Sequence, residues 1–238
     1  MSQTVVITGV GPGLGAALVQ KFTGEGCRVG MLARSRDYLN QLAEEMKPQR
    51  GSVLALPTDI TRPEQVKEGF RAVRQAFGPV DMLINHAGNA TWAPLQDLTP
   101  EQFSEAWRVG PYAGFLCTKE VVQDMVDAGR GVILFSGATS SVRGRGGASA
   151  FSSAKFGVRG LAESLARELW PKGIHVAHIV IDGVIGPSDV PKDSAGDKTE
   201  PMLQPDSMAD VYWHLAMQDK QAWSLEVDLR PYNEEFFV

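Results

Sequence analysis

Short apolar runs of strand length alternate along the chain with segments in which apolar residues recur at helical spacing. The run Val5–Ile7 is followed by an amphipathic segment, Leu14–Gly24, and the alternation continues to Ile181. Alternating strands and helices are typical of a parallel sheet covered by helices on both faces. Strands are predicted at the runs Val5–Ile7, Val29–Ala33, Val53–Leu56, Val80–Ile84, Val132–Phe135 and Ile174–Ile181.

Helices are predicted between these strands, and one of them is long. It covers roughly Glu101–Ala128. Another begins at Pro63, since proline is tolerated in the first turn of a helix. The remaining predicted helices are Leu14–Gly24, Tyr38–Met46 and Ala150–Trp170.

The last third of the chain has a different pattern. Residues 186–205 are rich in Pro, Gly, Asp, Ser and Lys, which predicts a polar loop of the length often found in lids and binding loops. A helix capped by Asp206 or Ser207 then runs to Met217, and Ser224–Leu229 alternates like a final strand. We therefore expect residues 1–238 to form a single domain, with 186–218 as its substrate-side loop and helix.

Composition limits the class of protein. The chain has 238 residues, of which 43% are hydrophobic, and this suits one compact α/β domain. Its net charge of −5 repels phosphate backbones, so no nucleic-acid partner is expected. It has only Cys27 and Cys117, no signal-peptide pattern and no apolar run of about 18 residues. We expect a cytoplasmic protein without disulfides or a membrane span.

A glycine-rich turn follows the first predicted strand and opens the first predicted helix. Backbone N–H groups in such a turn can approach a pyrophosphate, and the helix N-terminus adds a favourable dipole. Glycines are expected here because a Cβ would block the close approach of a dinucleotide. The turn reads Thr8-Gly9-Val10-Gly11-Pro12-Gly13-Leu14-Gly15.

The end of the second predicted strand bears on the choice between NAD and NADP. An acidic residue there would hydrogen-bond the adenosine ribose hydroxyls, but the chain has Arg34 and Ser35. A guanidinium can pair with a 2′-phosphate, which a carboxylate would repel. The sequence therefore favours NADP(H) over NAD(H).

In this order, these features resemble the short-chain dehydrogenase/reductase family. The turn matches the family pattern Thr-Gly-x-x-x-Gly-x-Gly at Thr8, Gly9, Gly13 and Gly15. The resemblance covers essentially the whole chain and implies an α/β, single-domain Rossmann fold with a doubly wound parallel sheet of seven strands, in the order 3-2-1-4-5-6-7. It also implies an oxidoreductase with a nicotinamide cofactor.

Later segments are also similar to the family. Asn85-His86-Ala87-Gly88 is like the family's Asn-Asn-Ala-Gly with one substitution, and we interpret His86 as a packed or surface histidine. Asp182 replaces the proline that usually follows the sixth strand. The resemblance implies further cofactor contacts at Asp59, Ile60, Asn85, Ala87, Gly88, Lys155 and Gly183.

The match fails at the residues that move protons in this family. The resemblance places the catalytic tyrosine at Phe151, the serine at Ala138 and the asparagine of the water relay at Gly110. Lys155, which binds the nicotinamide ribose in the family, is retained. Phe151 has no ionisable group, so it cannot act as an acid or a base.

Three functions stay open. The first is an atypical NADP(H)-dependent oxidoreductase for an imine or an enone, which needs no tyrosine acid. The second is a catalytically inactive NADP(H)-binding sensor or partner subunit. The third is a carbonyl reductase with a relocated acid, for which Ser136, Asp182 and Tyr112 are the candidates.

Two further expectations concern ligands and assembly. Arg143 and Arg145 lie in a glycine-rich loop that borders the family's substrate cleft, and they are either solvated or bind a carboxylate or phosphate. His175 and His178 should face opposite sides of a strand, so no metal is expected. Helices 101–128 and 150–170 match those that pair between subunits in the family, which predicts a homodimer or homotetramer.

Overall fold

A computed structural model describes residues 2–186 and 202–234. Its main sheet has seven parallel strands in the order β3-β2-β1-β4-β5-β6-β9, which confirms the predicted order. The predicted seventh strand is β9 because two short strands, paired with each other, precede it. The strands are β1 (Thr4–Thr8), β2 (Arg28–Ala33), β3 (Ser52–Pro57), β4 (Met82–Asn85), β5 (Gly131–Ser136), β6 (Ile174–Ile181), β7 (Val184–Ile185), β8 (Met202–Leu203) and β9 (Glu226–Leu229).

Helices cover both faces of this sheet. Several begin at residues suited to a first turn: Pro63 and Pro205 open two of them, and Thr99 with Gln102 forms a capping box at a third. The helices are α1 (Leu14–Gly24), α2 (Arg36–Met46), α3 (Pro63–Phe77), α4 (Pro100–Trp107), α5 (Ala113–Ala128), α6 (Ser149–Leu169) and α7 (Pro205–Ala216).

The core consists of two apolar layers, one on each face of the sheet. Phe22 and Met31 belong to the layer under α1, α2 and α7, and Phe70 and Phe135 belong to the layer under α3, α5 and α6. Burial on both faces explains why the strands read as continuous apolar runs rather than as alternating ones.

The long helix predicted at Glu101–Ala128 is helical throughout in the structure, but it is not one regular α-helix. A π-helical turn, Arg108–Tyr112, separates α4 from α5. Pro111 lies inside this turn. Proline has no N–H to donate, and its ring clashes with the carbonyl oxygen four residues earlier in an α-helix, so a wider turn relieves the conflict.

The region predicted as a substrate-side loop and helix is only partly described. Residues 187–201, most of the predicted loop, lie outside the described residues. On either side of them, Val184–Ile185 pairs with Met202–Leu203. The following helix starts at Pro205 with Gln204 as its cap, two or three residues before the predicted cap at Asp206 or Ser207. Among the described helices, none combines the length and apolar character needed to cross a membrane.

Candidate functional site

The carboxyl ends of the parallel strands lie along one edge of the sheet, and a cleft of about 1400 Å3 lies over this edge. The turns that follow successive strands line it, including Gly9 after β1, Arg34 after β2, Asp59 after β3 and His86 after β4. Strand order reverses between β1 and β4, and ligands of open α/β sheets bind at such a switch point.

The glycine-rich turn forms one end of the cleft. Gly9 has a φ of +74°, and a Cβ there would lie 2.5 Å from the Cα of Ala87. A Cβ at Gly15 would lie 3.0 Å from the carbonyl oxygen of Gly9. A Cβ at either glycine would therefore meet protein backbone, so the fold itself requires glycine at both positions. At Gly11, by contrast, a Cβ would meet nothing within 4 Å.

The first turn of α1 is suited to an anion. Its cap residue, Gly13, provides no side-chain hydrogen bond, and the turn carries no acidic residue. The Ala16 N–H donates to the Gly11 carbonyl, and no carboxylate of the first turn competes with an anion for the positive end of the helix dipole. Pro12 beside them is exposed, whereas Leu14 is buried in the core.

The predicted adenosine end of the cleft contains Arg34 and Ser35. Both side chains are exposed and line the cleft. The Ser35 hydroxyl accepts a hydrogen bond from the Tyr38 N–H over 3.5 Å and caps α2. Arg34 thus lies at the start of a helix, with its guanidinium in reach of a ligand in the cleft.

Asp59 is held by several neighbours at the end of β3. One carboxylate oxygen accepts hydrogen bonds from the Thr61 N–H (3.0 Å) and hydroxyl (2.7 Å), and the other lies 3.3 Å from Arg62 Nε. Burial acts to raise the pKa of Asp59, but the bonds from Thr61 and the Arg62 charge outweigh it and lower the pKa. Asp59 is therefore a fixed acceptor in the cleft, next to Ile60.

The Asn85–Gly88 segment joins the glycine-rich turn to the centre of the cleft. The Thr8 hydroxyl donates to the Ile84 carbonyl and accepts from the His86 N–H, which ties β1 to β4. Asn85 is buried, and its Nδ2 has no partner. Ala87 and Gly88 line the cleft, and a Cβ on Gly88 would lie 3.4 Å from Lys155 Nζ.

Lys155 is buried at the wall of the cleft. Its Nζ donates to the Ser136 carbonyl over 2.8 Å and to the Gly137 carbonyl over 3.3 Å. Burial lowers the pKa of Lys155 from 10.5 to about 8. The ammonium group is thus placed by backbone oxygens at the end of β5, without help from a carboxylate.

Phe151 and Ala138 both line the cleft close to Lys155. The Phe151 ring centroid is 5.7 Å from Lys155 Nζ and 6.0 Å from the Trp92 ring centroid. Gly110 is elsewhere: it lies in the π-helical turn, where a Cβ would contact Val158 and Ala154 of α6 at 3.6 and 3.7 Å.

The three candidates for a relocated acid differ in position. The Asp182 carboxylate accepts a hydrogen bond from Thr139 and pairs with Arg230 over 3.1 Å, so both of its oxygens are engaged. Ser136 is buried, and its hydroxyl contacts Tyr212 and His86. Tyr112 lies in the π-helical turn and is not among the residues that line the cleft.

Arginine and aromatic side chains form the mouth of the cleft. Arg143 and Arg145 both line it, and the Arg145 guanidinium lies 5.8 Å from the Trp92 ring centroid. At the opposite wall, Gly183 has a φ of +141°, and a Cβ there would lie 2.9 Å from Pro231. The described residues contain no group of three or more His, Cys, Asp or Glu side chains placed to hold a metal ion.

Sequence reasoning missed three residues of this region. His86, interpreted as a packed or surface histidine, lines the cleft. Trp92 follows the Asn85–Gly88 segment closely, and an aromatic residue near a predicted ligand loop was the available signal. Tyr212 lies on α7 and contacts the site across 76 residues of sequence, so no local pattern indicated it.

The sheet topology and the cleft at its switch point define a Rossmann-type α/β protein. The short chain dehydrogenase family model matches residues 3–194. A crystal structure of a short-chain dehydrogenase from Rhodopseudomonas palustris is 35% identical, with coverage of 97% of this chain and 99% of that chain and a TM-score of 0.84. The chain therefore belongs to the short-chain dehydrogenase family.

Two other relatives extend the comparison. A metagenomic short-chain oxidoreductase, solved in complex with NADP, is 26% identical, with coverage of 98% of each chain and a TM-score of 0.84. A curated relative, an uncharacterised oxidoreductase from Staphylococcus aureus (strain MRSA252), is 25% identical over 229 residues, 95% of this chain and 96% of the relative.

Proposed function

We propose that this protein is an NADP(H)-dependent oxidoreductase that reduces a small imine or enone without a tyrosine acid. The observation that carries the proposal is the composition of one continuous cleft. The glycine-rich turn before α1 contributes Gly9 and Val10 to this cleft, and Lys155 lies beside the Phe151 ring in the same cleft. Such a cleft can bind a dinucleotide, but Phe151 cannot protonate the alkoxide that forms when a ketone is reduced.

The residues present fit a nicotinamide dinucleotide. The open space at Gly11 and the uncapped first turn of α1 suit the pyrophosphate, and Asp59 offers an acceptor at the adenosine end. Lys155 supplies a cationic donor for ribose hydroxyls. Bound NADPH would supply the hydride, which is the chemistry that the protein itself lacks.

NADP(H) rather than NAD(H) is supported by Arg34. Its side chain lines the cleft and has no carboxylate partner within 4.0 Å among the described residues. A guanidinium in this position can pair with a 2′-phosphate. The 26% identical metagenomic relative was solved with NADP.

The chain's own groups restrict the chemistry at the far end of the cleft. The Phe151 and Trp92 rings lie 6.0 Å apart and give this part of the cleft an apolar surface with no proton donor to a substrate oxygen. Lys155 is directed at backbone oxygens rather than at an ionisable partner. An iminium needs no proton during hydride transfer, and an enone can take its proton at carbon from water, so both suit a site without a strong acid.

The test is a panel of imines, enones and ketones incubated with NADPH, followed by the loss of NADPH absorbance. We expect turnover of an imine or an enone and near-background rates for ketones. Gly11→Asp is the matched control. Its side chain enters open space, so the fold tolerates it, but its charge repels the pyrophosphate and should abolish turnover by weakening NADPH binding. Tight NADPH binding without turnover of any compound would favour an inactive NADP(H)-binding protein and refute the proposal.

We also propose a homodimer or homotetramer. α4, α5, α6 and the π-helical turn between the first two leave large apolar side chains 40–44% exposed. A second copy of the same surface would bury them, as symmetric homo-oligomers do. These residues are Phe103, Trp107, Tyr112, Phe115 and Phe156.

A further inference from the structure

Three polar side chains form a line beneath the cleft, between α7 and the ends of β5 and β4. The Tyr212 hydroxyl lies 2.6 Å from the Ser136 hydroxyl, which lies 3.1 Å from His86 Nδ1. Tyr212 is fully buried and Ser136 is 3% exposed, whereas His86 is partly exposed and lines the cleft. The line therefore runs from the core to the ligand side of the sheet.

The direction of these hydrogen bonds follows from the surroundings of Tyr212. Ser136 is the one partner of the Tyr212 hydroxyl among the described residues. If Ser136 donated to Tyr212, the buried phenol proton would have no acceptor, which costs about 1–3 kcal/mol. Tyr212 therefore donates to Ser136. The Ser136 proton then has His86 Nδ1 as its one acceptor among the described residues, so Ser136 donates to His86 Nδ1.

This direction fixes the tautomer of His86. A neutral imidazole carries one proton, and an Nδ1 that accepts a hydrogen bond leaves that proton on Nε2. Nε2 is on the other edge of the ring from Ser136, and it is not among the buried polar atoms without a partner. Its N–H is therefore available on the cleft side.

The ring is also held in its uncharged form. Burial, together with the positive charge of Lys155, lowers the pKa of His86 to about 4. A neutral imidazole at neutral pH is a donor of one hydrogen bond and a very weak acid. It does not repel a cationic group as an imidazolium would.

We propose that His86 is a hydrogen-bond donor of the cleft, whose Nε2–H is presented by Tyr212 and Ser136 to an oxygen acceptor of the bound ligand. The acceptor belongs either to the cofactor, as a ribose or phosphate oxygen, or to the substrate, as a carbonyl oxygen. If the acceptor is a substrate carbonyl, the substrate is an enone rather than an iminium, because an iminium has no carbonyl oxygen. This choice between ligands rests on the proposed function. His86 thereby supplies polarisation in a cleft where Phe151 and Ala138 supply none.

The tautomer is tested without any ligand. Histidine imidazoles are labelled with ¹⁵N, and the four histidines are distinguished by the signal that His86→Asn removes. We expect the Nε2–H tautomer at neutral pH. Tyr212→Phe keeps the ring and removes only the directing hydroxyl, so the Nδ1–H tautomer should gain population. An Nδ1–H tautomer or an imidazolium in the unmodified protein would overturn the proposal.

The acceptor is tested by adding NADP⁺ and then cyclohex-2-enone as the probe. The His86 Nε2–H resonance should move downfield at the first step if the acceptor is on the cofactor, and at the second if it is the carbonyl oxygen. His86→Ala, which leaves no side-chain donor, should weaken the same step roughly two- to tenfold, the range expected for one neutral hydrogen bond. His214→Ala, the same substitution on an exposed turn of α7, should change neither step.

These outcomes separate this inference from the proposed function. If NADP⁺ does not bind, the proposed function fails, and the tautomer measurement still decides the hydrogen-bond direction. If NADP⁺ binds but the resonance moves at neither step, His86 contacts no ligand and the donor role is refuted. Retention of the circular dichroism spectrum and Tm in each variant shows that the comparison concerns folded protein.

Discussion

The buried ammonium group of Lys155 gives the protein a dependence of stability on pH that can be measured directly. Burial lowers the pKa of Lys155 from 10.5 to about 8. Each pKa unit corresponds to about 1.4 kcal/mol. Charging Lys155 in the folded protein therefore costs about 3 kcal/mol more than charging it in the unfolded chain.

The sign of the effect follows from where the proton resides. Below a pH of about 8 both the folded and the unfolded states hold it, so stability does not change with pH through this group. Between about 8 and 10.5 the unfolded chain holds it and the folded protein does not, so the free energy of unfolding rises with pH. Above a pH of about 10.5 both states have lost the proton, so the free energy of unfolding no longer changes with pH through Lys155.

Lys155→Met isolates this contribution, because methionine keeps an unbranched side chain and removes the charge. Urea denaturation of both proteins from neutral pH to pH 10.5 should show the unmodified protein gaining about 3 kcal/mol on the variant. Lys172→Met is the control, since Lys172 is an exposed residue that pairs with Glu168, and its substitution removes a lysine without touching the buried ammonium group. The absence of any rise for Lys155→Met relative to this control would refute the assignment of a buried, destabilised ammonium group.

Three further predictions concern ligands, chemistry and assembly. Arg34→Asp should make NAD(H) bind more tightly than NADP(H), because a carboxylate repels the 2′-phosphate; equal affinity of the unmodified protein for both, measured by fluorescence titration, would contradict the role of Arg34. Phe151→Tyr combined with Ala138→Ser should raise the rate of ketone reduction by more than the product of the two single effects, since these groups act as a unit. Gly110 should keep the gain below the roughly 10²- to 10⁴-fold typical of general acid catalysis. A purely multiplicative result in steady-state assays would argue against this coupling. Sedimentation at micromolar concentration should show a dimer or tetramer that Phe156→Asp shifts towards monomer, and a monomeric unmodified protein would exclude the proposed assembly.

The sheet and the position of the cleft could be predicted because their signals are local. Apolar runs such as Val5–Ile7 identify strands one at a time, and parallel pairing then gathers the turns that follow them at one edge. The π-helical turn at Arg108–Tyr112 was not predicted, because the segment stays helical through it. Pro111 was the local signal for it.

The contacts that define the candidate site could not be predicted in the same way. Ser136 joins His86 across 50 residues of sequence and Tyr212 across 76. Asp182 is engaged by Arg230 on the far side of residues 187–201. None of these residues belongs to a pattern, so a sequence shows which polar groups exist but not which of them share a hydrogen bond.

The contrast between two glycines of the first turn has a consequence for how such motifs evolve. Gly9 is required by its contact with the backbone at Ala87, so a descendant that no longer bound any nucleotide would still be under pressure to keep it. Gly11 falls where the family pattern specifies no residue, and a Cβ there would meet nothing within 4 Å, so a side chain at this position says little about ligand loss. Persistence of Gly9 in a descendant would therefore be evidence of an intact fold and not of an intact cofactor site.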